Sequence, residues 1–350
     1  MPRRPDAAEA LRTSVVVTRL DHVHVVRFTG ADAARALNRL AAGVIRARDG
    51  QVQHVLLLNE DARCWADGFV LCDDEAYDLM YEGPTPAMML AHIAAHVPQA
   101  WDVVVEDRSL SHALLGIDGP FAWELVSRLA GAEAVGLPYL TFFHADEFCC
   151  VRSGKTGEYG YSLLLPRGRV DALEARALAE GVALDAAPGT LEVLDLAALE
   201  CFFFNIRSEG RADVTPIELQ LQWRVSYDGD GVGLLTLRRH RGEGVTSRVT
   251  TLLAADRVAV GDAVQLHGSR VGTVLNAAWS RARKEWIALA LLDLACAVPG
   301  VGAFNVIAAG GPVAARSVSP PILNNASLFV SPQMHSYATR AEIALPRLVR

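Results

Sequence analysis

The alternation of apolar and polar residues predicts strands over much of the amino-terminal third of the chain. Residues 14–28 alternate and contain a turn, so they are expected to form two strands. A helix is predicted at 31–42, because apolar residues recur there at helical spacing. Three further strands, at 51–59, 65–72 and 76–82, are expected to form an antiparallel meander.

Helices and strands alternate less regularly along the middle of the chain. Helices are expected at 87–96, 119–129, 169–180 and 191–202, and strands at 101–106, 112–117, 139–144 and 147–152. The segment 205–216 is polar and without periodicity, and an irregular loop of this length is often functional. Beyond a change of composition near 242–247, short strands separated by Gly, Asp and Pro turns over 248–309 indicate a small antiparallel barrel.

One stretch, 151–166, combines a glycine-rich turn with an apolar strand. Gly154, Gly157 and Gly160 permit positive backbone φ angles and a close approach of the backbone to a ligand. The same pattern is typical of an ordinary hairpin turn. Periodicity therefore leaves both a ligand-binding loop and a plain turn open.

The composition is that of a globular chain and argues against several classes of partner. With a formal net charge of −7, the 350-residue chain is not expected to bind nucleic acid as its main partner. No apolar run reaches about 18 residues, so no membrane-spanning helix is expected, and the charged amino terminus does not resemble a secretory signal. The six cysteines lack C-x-x-C spacing, and no histidine pairs with a cysteine or carboxylate at metal-ligand spacing. The pairs His22/His24 and His92/His96 could bind a metal ion but have no third ligand in view, which favours a structural role. We expect a cytoplasmic protein with free thiols and no metal ion.

Four short stretches follow one another in a recognisable order. They are TGADA at 29–33, QVQHVLLLNED at 51–61, GKTGEYG at 154–160 and TPIEL at 215–219. On these motifs the chain resembles, over residues 14–310, the glycine-cleavage T-protein (aminomethyltransferase) family, which includes tetrahydrofolate-dependent demethylases. That family reads GYTGEDG and TPLEAGL at the last two motifs.

The resemblance implies an α+β, three-lobed aminomethyltransferase-like fold in which two α+β lobes surround a central channel. Residues 1–48 and 145–240 would form a discontinuous first lobe of the folate-binding type, and 49–144 the second lobe. Residues 245–312 would form the small C-terminal antiparallel β-barrel, followed by an irregular tail at 313–350. The resemblance also implies tetrahydrofolate as cofactor and the transfer of a one-carbon unit to or from it.

The chain departs from the family at several positions that bear on its chemistry. Met89 stands where, without gaps, the family's aminomethyltransferases carry a catalytic Asp, and a thioether cannot deprotonate an amine. Ser162 stands where the family has an acid that reads the amino-pyrimidine edge of the pterin. Leu194 and Ala198 replace two arginines, so the pocket is less suited to an anionic group. Glycine-cleavage activity is therefore not expected.

The carboxylates of the chain and the positions that match the family's pocket give a candidate site. The candidate catalytic acids or bases are Glu200, Asp67 and Glu158, and each carboxylate is also typical of a turn or a helix cap. The candidate cofactor-binding positions are Tyr161, Ser162, Gly157, Met89 and Leu57.

Three functions stay open. A tetrahydrofolate-dependent methyl transferase or demethylase acting on a small molecule is favoured by the four ordered motifs. The second is a biosynthetic enzyme on the same scaffold that has lost folate, in which Met89, Leu194, Ala198, residues 202–204 and Trp279 would offer an apolar channel to a hydrophobic or aromatic metabolite. The third is a non-catalytic folate-binding protein. The irregular tail is also a candidate contact for a homo-oligomer.

Overall fold

Residues 5–74 and 76–343 are described by the structure, which is a computed structural model. Their α-helices are α1 Ala7–Thr13, α2 Ala33–Leu40, α3 Pro86–His96, α4 Ala122–Ala130, α5 Val170–Glu180, α6 Leu191–Cys201 and α7 Leu234–Glu243. Their strands are β1 Val16–Arg19, β2 His24–Thr29, β3 Val52–Leu58, β4 Cys64–Asp73, β5 Ala76–Glu82, β6 Val104–Asp107, β7 His112–Asp118, β8 Phe142–His144, β9 Cys149–Val151, β10 Gly160–Pro166, β11 Ala187–Pro188, β12 Ser247–Ala254, β13 Ala263–Leu266, β14 Ser269–Ser280, β15 Glu285–Asp293, β16 Phe304–Ala308 and β17 Gly311–Val318.

Six strands form one sheet, in the order β11-β1-β7-β10-β9-β8. Its pairs are antiparallel, except that the short β11 lies parallel to β1. Along β10, side chains alternate between the two faces. Tyr161, Leu163 and Leu165 pack into the hydrophobic cluster under helices α4 and α5, whereas Leu164 packs on the opposite face.

A second sheet has five antiparallel strands, in the order β3-β4-β5-β2-β6. Helices α2 and α3 bury one face of it. The other face packs against the six-stranded sheet, where Met80 and Leu71 join Leu114 and Leu164 in one hydrophobic cluster. The two sheets are therefore stacked face to face.

The strand-rich carboxyl-terminal region is a closed antiparallel barrel, in the order β12-β15-β14-β13-β16-β17. The predicted α+β fold with a C-terminal barrel is confirmed. The barrel extends to Val318, beyond the predicted end at residue 312, because β17 pairs with both β12 and β16 and so closes the ring.

Sheet membership does not follow the lobe boundaries that the resemblance implied at residues 48 and 144. Strand β2, from the expected first lobe, pairs with β5 in the five-stranded sheet. Strand β7, from the expected second lobe, pairs with β1 and β10 in the six-stranded sheet. The chain changes sheet between β1 and β2, and again between β6 and β7. The division into lobes stays a prediction.

The segment 319–343 packs along the six-stranded sheet and its helices. Val330 and Tyr337 enter the hydrophobic cluster that also holds Phe121. The Tyr159 hydroxyl donates to the Val330 carbonyl at 2.7 Å, and the Tyr337 hydroxyl to Asp185 at 2.5 Å. These contacts are within the chain; a homo-oligomer through the tail stays a prediction, and residues 344–350 lie outside the described part.

Candidate functional site

A cleft of about 770 Å³, including its mouth, lies where the two sheets meet helix α6. We call it the central cleft. Its apolar lining is formed by Leu20, Val23, Phe69, Met80, Leu114, Leu194, Ala198 and Phe204. Its polar lining includes His22, Asp67, Glu82, Asp118, Ser153, Lys155, Thr156, Ser162, Asp195, Asn205 and Arg207. An apolar slot with convergent polar groups is typical of a small-molecule site.

Two buried carboxylates lie side by side at the polar end of the cleft. Asp67 on β4 and Glu82 on β5 are directly opposite in the antiparallel register, and adjacent like charges on neighbouring strands repel. Lys155, from the glycine-rich loop, separates them: its Nζ lies 2.5 Å from Glu82 Oε1 and 3.1 Å from Asp67 Oδ2. Burial disfavours the ammonium, but Glu82 and Asp67 outweigh it and raise the pKa of Lys155.

Asp67 is also bound from its other side. Arg224 Nη2 donates to Asp67 Oδ1 at 2.5 Å and to the Val55 carbonyl at 2.7 Å, and His54 Nε2 lies 2.9 Å from the same carboxylate oxygen. Burial opposes the charge on Asp67, yet Arg224 and Lys155 hold its pKa well below its usual range. Burial lowers the pKa of His54, so its neutral ring donates to Asp67. Asp67 is therefore ionised at neutral pH.

Arg207 connects Glu82 to helix α6. Its Nε donates to Glu82 Oε2 at 3.0 Å, and its two terminal nitrogens donate to Asp195 at 2.6 and 3.0 Å. Arg207 belongs to the polar segment 205–216, so this bidentate pair fixes that segment to the helix and to the sheet. Three acids and three cations balance one another, and we call this set the cleft network: Asp67, Glu82, Asp195, Lys155, Arg207 and Arg224.

Asp118 is a further buried acid in the cleft and lies outside this network. It ends β7 and is 6% exposed. Its Oδ1 accepts a hydrogen bond from the Thr156 hydroxyl at 3.2 Å. Burial raises the pKa of Asp118 to about 7, although Thr156 and Arg152 act against the shift. Asp67 and Asp118 thus share one cleft with opposite pKa shifts.

Glu158 and Glu200, predicted as catalytic, lie in a different cluster. Arg12 of α1 donates to Glu200 at 2.6 Å and to Glu158 at 3.2 Å. Ser280 donates to the second Glu200 oxygen at 2.7 Å, and the Ser327 hydroxyl to the second Glu158 oxygen at 2.7 Å. We call this set the tail anchor: Arg12, Glu158, Glu200, Ser280, Asn325 and Ser327. Neither glutamate is among the described residues that line the cleft.

Among the predicted cofactor contacts, Ser162 lines the cleft and the other four positions lie away from it. Tyr161 points to the helix-covered face of its sheet. Met89 on α3 and Leu57 on β3 are buried in the core behind the five-stranded sheet. Gly157 has a φ of +77° and faces the tail, where an added Cβ would collide with the Asn325 side chain. A glycine is required there for packing of the tail.

Only some of the residues predicted to line an apolar channel in a folate-free enzyme do line the central cleft. Leu194 and Ala198 line the central cleft, as does Phe204. Phe203 instead borders a neighbouring cavity, and Trp279 lies on the outside of the barrel, 44% exposed. Leu194 and Ala198, which stand where the resemblance implies arginines, therefore present aliphatic side chains to the cleft.

The family model for the GCVT N-terminal domain matches residues 5–229. The chain belongs to this family. The resemblance seen in the four sequence motifs is confirmed.

Relatives of similar length support the assignment. An aminomethyltransferase from Rubrobacter xylanophilus is 28% identical, covering 89% of this chain and 84% of the relative. An aminomethyltransferase from a Synechococcus species is 29% identical, covering 83% of each. The crystal structure of the glycine cleavage system aminomethyltransferase T from Bartonella henselae superposes with a TM-score of 0.82 at 20% identity, covering 91% of this chain and 89% of that one. The aminomethyltransferase-like fold is thereby confirmed.

Two other features bear on partners. Among the described residues, none of the helices has the length and apolar character that crossing a bilayer requires. In residues 5–74 and 76–343, no three His, Cys, Asp or Glu side chains converge to hold a metal ion. The metal-free state and the cytoplasmic location stay predictions.

Several residues of the central cleft and of the cleft network were not predicted as site residues. Glu82, Arg207 and Arg224 come from separate segments, and pattern alone does not place them together. Lys155 did carry a signal, because a lysine inside a glycine-rich loop next to an apolar strand requires a buried countercharge. Asp118 carried one as well, since it ends an apolar strand whose neighbours are buried.

Proposed function

We propose that the chain is a tetrahydrofolate-dependent enzyme that transfers a methyl or other one-carbon unit to or from a small molecule, as a methyl transferase or demethylase, without glycine-cleavage activity. The observation that carries the proposal is the central cleft, an apolar slot that ends in buried acids and hydroxyls. The names of the relatives, both aminomethyltransferases, support a transferase.

The lining of the cleft fits a pterin. Phe69, Met80 and Leu114 offer apolar surface to the faces of a flat ring. The hydroxyls of Ser153 and Ser162 and the carboxyl of Asp118 offer polar contacts to its edge. When bound, tetrahydrofolate supplies a ring nitrogen that takes up or gives back the one-carbon unit. The protein's contribution would be to position the two reactants and exclude water.

The cleft network would supply a fixed electrostatic environment beside the reactants. Asp67 is held ionised, so it is unsuited to donating a proton, and it fixes the positions of Lys155 and Arg224. His22 lines the same cleft, and burial lowers its pKa. A neutral imidazole can accept a proton at Nε2, the atom that lies 3.7 Å from Glu82.

The same network argues against an amine substrate of the glycine-cleavage kind. Both oxygens of Asp67 already accept hydrogen bonds, from Lys155 on one side and from Arg224 and His54 on the other. Met89, the position predicted to bear the family acid, is buried in the core. The cleft network has no net charge and Asp67 has no unbonded oxygen, so a cationic amine would find no free carboxylate of Asp67 to pair with.

The test is binding followed by turnover. Calorimetric titration of the purified full chain with 5-formyltetrahydrofolate is expected to show one site. Incubation with tetrahydrofolate and a panel of O-, N- and S-methyl compounds is then expected to yield 5-methyltetrahydrofolate, detected by mass spectrometry. Binding without product from any panel compound would favour the non-catalytic folate-binding alternative. Absence of binding would overturn the folate proposal.

A second candidate is favoured by Leu194 and Ala198, which stand where the resemblance implies arginines and give the cleft wall apolar surface. In this alternative, the scaffold has lost folate and acts on a hydrophobic or aromatic metabolite. Native mass spectrometry of freshly purified protein distinguishes the two, because a retained apolar ligand that 5-formyltetrahydrofolate does not displace would support this alternative.

A further inference from the structure

Asp118 is placed at the edge of the central cleft by the register of two strands. It lies opposite Gly160 on β10. A Cβ added at Gly160 would lie 2.9 Å from Asp118 Oδ1, and one added at Gly154 would lie 3.3 Å from it. Both glycines therefore keep clear the space that the carboxyl group occupies.

The two oxygens of Asp118 differ in their partners. Oδ1 accepts the hydrogen bond from Thr156, whereas no donor to Oδ2 is found in the described part of the chain. The other cleft acids differ in this respect, since both oxygens of Asp67 and both of Glu82 accept hydrogen bonds from cations. Asp118 Oδ2 is not among the buried atoms that lack a partner in the described part of the chain, so it is open to the cleft. A ligand in the cleft can therefore reach this oxygen with an N–H group.

The side chains next to Asp118 in the cleft indicate which of them can accept N–H groups from a ligand. Ser162 faces Gly116 in the register, so it shares with Asp118 the cleft-facing side of the sheet. Its hydroxyl lies 3.3 Å from that of Ser153. A hydroxyl offers a single O–H and lone pairs, whereas a carboxylate can accept two parallel N–H bonds. In this part of the cleft, the group that matches an N–H–rich edge is Asp118.

We propose that Asp118 binds the amino-pyrimidine edge of the pterin by accepting its N–H groups, and that Ser162 contributes little to this recognition. The inference rests on the proposed function and assigns a specificity residue within it. The ring amide N–H and the exocyclic amino group of a pterin are adjacent donors, which is the pattern that a carboxylate accepts. Thr156 fixes Oδ1, which keeps a second lone pair, and Oδ2 has no protein donor in the described part of the chain, so both oxygens can accept from the ligand.

The electrostatic surroundings support the assignment. Burial raises the pKa of Asp118 to about 7; Arg152 faces it from the start of the loop and acts against the shift, and Glu158 adds to it. Lys155 lies on the same loop, but its ammonium is held by Asp67 and Glu82. A ligand that donates N–H groups favours the ionised form. Its affinity is therefore expected to rise with pH below about 7 and to level off above it.

The experiment is calorimetric titration of the full chain with 5-formyltetrahydrofolate at pH 8. Asp118→Asn is expected to weaken binding at least about tenfold, a loss of about 1.4 kcal/mol, because an amide presents N–H groups to N–H groups. Ser162→Ala is expected to change the affinity less than about threefold. The matched control is Asp78→Asn, a buried acid on β5 that does not line the cleft.

Two further measurements test the role of Asp118, the first of them without relying on the folding of Asp118→Asn. Thr156→Val removes the fixing hydroxyl and is expected to weaken binding about threefold with a native circular dichroism spectrum. Competition by pterin and lumazine, which carry an amino and an oxo group at the same ring carbon, is expected to favour pterin. That preference should be lost in Asp118→Asn.

The outcomes separate the inference from the function on which it rests. If the wild-type chain binds and Asp118→Asn binds equally well, or if Ser162→Ala is the variant that loses affinity, the role of Asp118 is refuted and the folate proposal stands. If the wild-type chain does not bind, both fail.

Discussion

The cleft network and the tail anchor are both buried clusters of ion pairs, but they differ in what surrounds them. In the cleft network, Asp67 and Glu82 lie at the end of an apolar slot that a small molecule could enter. In the tail anchor, Glu158 and Glu200 are bonded by protein donors in the same way, but neither of them lines the slot. The anchor joins the first helix, the glycine-rich loop, helix α6, the barrel and the tail.

The difference shows that a retained acid is not evidence of a catalytic acid. Asp67, Glu158 and Glu200 are all carboxylates that the sequence offers as candidate acids or bases. Their roles are distinguished by the space beside them, because chemistry needs a neighbouring cavity and packing does not. The contacts of Glu158 and Glu200 support a structural role, and their predicted catalytic role has no support from the cleft.

The largest effect is expected from breaking the tail anchor. Arg12→Met leaves Glu158 and Glu200 buried without their countercharge, so the free energy of unfolding should fall by about 3–5 kcal/mol, measured by urea denaturation. The affinity for 5-formyltetrahydrofolate of the protein that remains folded should change less than about threefold. Arg239→Met is the control, since Arg239 and its partner Glu243 are 66% and 65% exposed, and a loss of under about 1 kcal/mol is expected.

The opposite result would contradict the separate roles of the tail anchor and the cleft network. If Arg12→Met kept its stability and lost folate affinity, the anchor would belong to the functional site.

The next largest effect is expected when one carboxylate from each cluster is replaced by the corresponding amide. Asp67→Asn removes an ionised group from the cleft, and methyl transfer is expected to fall about 100-fold because fixed charge beside the reactants is lost. Glu200→Gln keeps the shape of its side chain and lies outside the cleft, so turnover should change less than about threefold. Rates are compared below the unfolding temperature of each variant. Equal losses for the two variants would contradict the assignment of separate roles.

The smallest effect concerns pH and contrasts Asp118 with Asp67. Burial raises the folded-state pKa of Asp118 to about 7. The contribution of Asp118 to the free energy of unfolding is therefore fully present below its ordinary pKa and is lost as the pH rises through about 7. Above that pH the contribution stays constant. Asp118→Asn is therefore expected to gain at least about 2 kcal/mol of stability relative to wild type at pH 8. At pH 4 this gain should disappear.

Denaturation curves at pH 4, 6 and 8 check this expectation. Asp67→Asn provides the contrast, because the folded-state pKa of Asp67 is lowered. Its charge stabilises the protein above its ordinary pKa, so the variant should be less stable than wild type at pH 8. A parallel pH dependence in the two variants would show that Asp118 is not the uncompensated acid.

Much of the fold follows from local pattern. Strand β5 is predicted at the bounds observed, 76–82, because its largely apolar run lies between the acidic residues 73–75 and the turn at 83–84. Helices α1 and α7 were not predicted. Helix α1 has seven residues and depends on packing against Val16, Ala187 and Ala197. In helix α7, Leu234 and Leu237 are the buried residues of a largely charged segment, so its periodicity is weak.

The site was less predictable, because its residues are assembled by tertiary contacts. Asp67 and Ser162 were predicted from the resemblance and do line the cleft. The environment of Glu158 depends on Asn325 and Ser327, which come from a tail without periodicity. The charge balance of the cleft depends on Arg207 and Arg224, which are far from β4 and β5 in the sequence. No spacing rule brings such groups together.

Lys155 gives the molecule a property that its many arginines cannot. Lys155 and Lys284 are the only lysines in the sequence. Lys284 is exposed in the turn between β14 and β15, whereas the Lys155 ammonium is held between two carboxylates with a raised pKa. An amine-reactive label should therefore modify Lys284 at once and Lys155 only when the cleft network opens. With Lys284 as internal reference, chemical footprinting becomes a direct reporter of movement at a single position in the cleft.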